Sequence, residues 1–89
     1  EQRQQNVVGS IIRKLCYEQN LTQEMLAARC GVADHEISRG TLAKIEAQIR
    51  GIADVELFVI ALALRVKMEG IFPSGFHRQL KKGDLRRKE

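Results

Sequence analysis

The twelve residues Leu21-Thr22-Gln23-Glu24-Met25-Leu26-Ala27-Ala28-Arg29-Cys30-Gly31-Val32 read as a short capped helix running into a glycine turn. Thr22 supplies a hydroxyl for the helix start, and Glu24 in the first turn opposes the positive end of the helix dipole. Leu26 and Cys30 lie four apart and share one face, with Leu21 just ahead of the cap. Ala27 leaves room for a second helix to come close, and Gly31 is the residue expected to take the left-handed turn that ends the element.

Counted from Gln23, the residues Gln23, Ala27 and Gly31 stand at positions one, five and nine, the opening half of a helix-turn-helix. Further on, Leu42-Ala43-Lys44-Ile45-Glu46, Ile60-Ala61-Leu62-Ala63-Leu64 and Met68-Glu69-Gly70-Ile71-Phe72 follow in order. With these four segments the chain resembles the phage Cro and repressor family of DNA-binding domains over residues 7–72. The resemblance implies an all-α, five-helix, lambda-repressor-like domain whose second and third helices form the helix-turn-helix. It also implies sequence-specific binding of double-stranded DNA by a bacterial or phage transcriptional regulator.

The periodicity of apolar residues gives the same outline. Val8, Ile11, Ile12 and Leu15 predict a first helix over residues 7–19, stopping at Gln19-Asn20. The second covers 23–30. The third covers 39–47, capped by Ser38, with Leu42 and Ile45 toward the core. A fourth covers 54–64, capped by Asp54, with Leu57, Ile60, Ala61 and Leu64 inward. A fifth, short element spans 68–72 and closes before Pro73. Residues 1–6 read as a polar, flexible segment, 7–75 as the DNA-binding domain, and 76–89 as a basic tail with some helical character.

One spacing departs from the family. Twelve residues, Ala33 to Lys44, stand where the pattern usually has about seven before the Ile-Glu pair. Without a gap, Asp34, His35 and Glu36 fall at the helix tip, which sets carboxylates against phosphate, and Gly40 falls where an apolar residue is needed. Placing the excess before the third helix instead caps it with Ser38 and turns Arg39 and Lys44 outward. Residues 33–37 are then a loop, with Ile37 packed inward as an anchor.

On that alignment the resemblance assigns the DNA-binding residues. Arg39 offers paired donors to guanine, Gly40 lets the backbone approach, and Thr41 and Lys44 reach a base or a phosphate. Ser38 sits at the tip of the same helix. Gln23, at the start of the second helix, and Arg50, in the loop after the third, are expected to clamp phosphates. The acid at Glu46 pairs in the family with an arginine on the first helix. Cys16 stands at that position, leaving Arg13, Arg50 or local backbone as partners. Gln48 and Arg65 stand where relatives place glycine.

Composition bounds the alternatives. The chain has 89 residues, 44% of them apolar, and a formal charge of +4. Residues 1–77 hold nine basic and nine acidic side chains, and residues 78–89 hold six and two, so the whole excess lies in the tail. The basic balance is therefore no evidence that the globular part binds nucleic acid. No apolar run approaches the ~20 residues of a membrane span. Cys16 and Cys30 are expected as buried or half-buried free thiols of a cytoplasmic protein. Cys30, Asp34, His35 and Glu36 lack the paired spacing of a metal site. No nucleophile–base pair or phosphate loop points to an enzyme, a cofactor or a small-molecule ligand. The competing function is a protein-interaction or RNA-associated module on the same fold.

Finally, Val55, Val59, Leu62 and Val66 recur at spacings of four, three and four, a second apolar stripe on the fourth helix. It calls for a cover. A second copy of the chain, making a homodimer, is the expectation. The tail folding back through Phe76 and Leu80, or another protein, are the alternatives.

Overall fold

The computed structural model describes residues 4–73. Among them stand four α-helices and one 3-10 turn, and no strand. Helix α1 is Gly9–Glu18, α2 Gln23–Val32, α3 Arg39–Glu46 and α4 Asp54–Leu64. The 3-10 turn is Met68–Ile71. The all-α class holds, but the fifth element is not an α-helix: four residues before Pro73 suffice for only one tight turn. The expectations for the tail, including the cover by Phe76 and Leu80, lie outside the described residues, as do residues 1–3 and 74–75.

The helices gather around one core. Val8 and Ile12 from α1 and the segment before it, Leu26 and Cys30 from α2, and Leu42 and Ile45 from α3 meet there with Ile60 and Leu64 from α4 and Ile71 from the 3-10 turn. Helix α2 packs on both α3 and α4, α1 packs on α3, and the 3-10 turn closes over α4. Gly9 lies so close to the end of α3 that a Cβ there would collide with the Ile45 carbonyl oxygen.

The helix starts follow the sequence with one correction. Thr22 Oγ1 accepts the Met25 N–H, and Ser38 Oγ accepts the Thr41 N–H. Asp54, by contrast, is the first residue inside α4 and does not cap it. The cap position is Ala53, which has no side-chain oxygen, and Glu56 reaches back to accept the Ala53 N–H. Helix α1 begins from Asn6, whose Oδ1 accepts the N–H groups of Val8 and Gly9.

All four α-helices end in one way. A residue of positive φ follows the last turn: Asn20 (58°), Asp34 (65°), Gln48 (64°) and Arg65 (60°). The next N–H then reaches back into the helix, from Leu21 to Cys16, His35 to Cys30, Ile49 to Lys44 and Val66 to Ala61. This is the Schellman arrangement, ordinarily finished by glycine. Gly31 does not play that part: α2 runs through it to Val32, and Asp34 makes the turn. Side chains tie down the end of α4 as well, Arg29 donating to the Ala63 carbonyl and Gln19 to that of Leu64, each at 2.9 Å.

The long connection after α2 is a turn and an extended loop through Ser38, with Ile37 5% exposed. No helix runs from Asp34 to Thr41, so the gapped alignment describes the chain.

Candidate nucleic-acid interface

Helix α3 has two sides. Leu42 and Ile45 are fully buried and hold it to α1 and α2, while Arg39, Gly40 and Lys44 are exposed and Thr41 is half-buried. The Ser38 hydroxyl also lies 3.1 Å from Thr41 Oγ1. Donation from Ser38 to Thr41 leaves the Thr41 proton free for an outside acceptor. A Cβ on Gly40 would meet nothing nearer than Ser38 Oγ at 3.9 Å, so the protein itself does not demand glycine there.

The start of α2 lies across α3 and reaches toward both its ends. Gln23 donates from Nε2 to Glu46 Oε1 at 3.1 Å, and Glu24 meets Arg39 at 4.0 Å. Glu24 and Arg39 are both largely exposed, so that contact is weak and readily exchanged. Glu46 is buried where α1, α2 and α3 meet. Besides Gln23 it takes the Cys16 thiol at 4.0 Å and an ion pair with Arg13 at 3.8 Å. It serves the packing of the motif, not a ligand. Gln23 keeps a second Nε2 proton, and its own backbone N–H stands at the open end of α2 beside it.

Arg50, expected to clamp a phosphate, is also engaged within the protein. Its Nη1 and Nη2 donate to the two oxygens of Glu56 at 3.0 and 3.1 Å, and Nη1 also reaches the Gly51 carbonyl. The pair locks the α3–α4 loop to the first turn of α4. Hydrogen bonding from Arg50 holds the Glu56 carboxyl below its ordinary range, although burial works the other way.

Two features of the region carry no early sequence signal. Asn6 is buried, and its Nδ2 donates to the Ile45 carbonyl at 3.0 Å and that of Arg50 at 2.8 Å. One side chain therefore starts α1 and ends α3. The segment expected to be flexible over residues 1–6 thus has its last residue built into the motif. Gln48 adds to this strap, donating from Nε2 to the Asn6 carbonyl, while Gln5 N–H donates to that of Gln48. The second is the Glu24–Arg39 pair, since the sequence assigns Glu24 to the helix dipole alone. Cys16 and Cys30 are free and buried. Burial, and then the Glu46 carboxylate, push the Cys16 thiol up to about 11, and burial raises Cys30. Neither is a reactive thiolate near neutral pH.

A buried-face, exposed-face helix held against the start of its predecessor, on a scaffold of two further helices, defines a helix-turn-helix domain. The helix-turn-helix family model matches residues 11–71, and the chain belongs to that family. The family is one of DNA-binding transcription regulators, not of enzymes. No curated protein and no solved structure gives a match to the chain. Among the described residues no helix is long and apolar enough to cross a membrane.

Proposed function

We propose that the protein is a sequence-specific reader of duplex DNA, a bacterial or phage transcriptional regulator that lays α3 in the major groove. The observation that carries this is the outward row Arg39, Gly40, Thr41 and Lys44 on a helix whose other side is wholly buried. Arg39 exchanges Glu24 for a guanine edge, Gly40 lets the helix backbone approach, and Thr41 and Lys44 take a neighbouring base or phosphate. Ser38 works through Thr41, by fixing which way its hydroxyl points. Gln23, oriented by Glu46, gives its free amide proton to a phosphate on the strand flanking the groove. Arg50 steadies the loop behind α3 through Glu56 and Gly51 and keeps two of its five N–H donors for a phosphate.

Titration of duplex DNA in rising salt tests the reading. A DNA reader binds a selected site more tightly than random sequence, and weakens as salt rises. Gln23→Ala should weaken binding by a similar factor on both duplexes, as loss of a phosphate contact does. A protein-interaction or RNA-associated module would show no preference for the selected duplex.

A further inference from the structure

Helix α4 keeps an apolar stripe uncovered among the described residues, and it is not the one the spacing of valines suggested. Val59 is buried at 5% exposure and Val66 is half-buried, so both belong to the core side. The open stripe is Val55, Phe58 and Leu62, exposed by 50, 52 and 52%. At its C-terminal end Val32 and Ala33 from the close of α2 join Leu62, Ala63, Arg29 and Arg65 around a shallow cleft.

The charges at the two ends of this stripe are opposite. Asp54 stands at the N-terminal end and Arg65 at the C-terminal end, both exposed. They lie eleven positions apart in the sequence, close to three turns of helix, which puts them on the same edge of the stripe.

We propose that the stripe seats a second copy of the chain, with α4 against α4 antiparallel about a two-fold axis. The axis passes beside the midpoint of Phe58 and Leu62, so Phe58 of each copy meets Leu62 of the other. That register brings Asp54 of one copy within a residue of Arg65 of the other, twice, on the same edge. A parallel pairing would instead put both Asp54 at one end and both Arg65 at the other, on opposite edges, with no opposite charges facing. The pattern of apolar centre and opposite ends is thus complementary to itself, which an isologous contact requires.

The test needs no DNA, so its outcome is independent of the function proposed above. Sedimentation equilibrium of the full 89-residue chain should show a reversible dimer. Asp54→Arg and Arg65→Asp should each weaken self-association by about tenfold or more. An equimolar mixture of the two variants should associate again, because only the mixed pair restores both opposite-charge contacts. Damage to the fold of either variant would not be repaired by mixing, and thermal melts of each alone report it separately. A wild type that stays monomeric at several hundred micromolar, as when the tail covers the stripe, overturns the proposal. So does association indifferent to both reversals, or a mixture that fails to recover it.

Discussion

Asn6 has all four of its side-chain hydrogen-bonding positions filled: two N–H groups accepted at the start of α1, and two carbonyls met at and beyond the end of α3. Replacing it with alanine removes these bonds inside a region closed to water, and should cost roughly 2–3 kcal/mol in urea unfolding. A free chain end at residue 6 would give no change. The partners lie 39 and 44 positions along the chain, so no local pattern in the first residues could name them. Gly40 makes the opposite case. Its missing side chain would meet open space, so Gly40→Ala should raise stability by about 0.5–1 kcal/mol through the helix backbone alone. If α3 reads DNA by close approach, the same variant should bind a selected duplex less well. Gains in both stability and affinity would mean that nothing comes near the Gly40 backbone.

Starts and ends of helices were unequally legible in the sequence. Thr22 and Ser38 announce α2 and α3 because a hydroxyl cap acts on N–H groups three residues away. The four C-terminal turns use no glycine, and the left-handed cost of ~1–2 kcal/mol for an ordinary side chain is met by surrounding bonds instead. Gln48 shows how: its side chain and backbone both hold the N-terminal strap. The start of α4 depends on Glu56, which caps Ala53 and binds Arg50 at once. Because its folded-state pKa is depressed, its contribution is present above the ordinary glutamate value and fades as pH falls through the lowered one. Glu56→Gln keeps the acceptor and removes the charge, so it should cost about 1 kcal/mol at pH 7. The difference from wild type should shrink steadily as pH is lowered from 7 through the carboxylate range to 3 and below in unfolding experiments. A difference unchanged between those pH values would assign the effect to packing instead.

At the scale of the whole molecule, the core was readable because helical periodicity marks it. Ile12, Leu26, Leu42, Ile45, Ile60 and Leu64 are all fully buried. The division of α4 into buried and open sides was not, because that helix is apolar nearly all round. Only packing against α2 and the 3-10 turn decides that Val59 goes in and Phe58 stays out. Of the candidate site, Arg39, Gly40, Thr41 and Lys44 came from the family resemblance, once the longer loop was placed before Ser38. The engagements of Gln23 with Glu46 and of Arg50 with Glu56 needed tertiary structure. The described residues hold no excess of positive charge, so what they contribute to DNA affinity depends on where the outward side chains of α2 and α3 stand. Selection of bound sites from a randomised duplex pool, run in parallel with wild type and Arg39→Ala, tests that claim most directly. Wild type should enrich a defined motif, and Arg39→Ala should lose preference at one base pair and about 1–3 kcal/mol of affinity for the wild-type motif. No enrichment by the wild type, or the same motif bound equally well by Arg39→Ala, would contradict a recognition helix at α3.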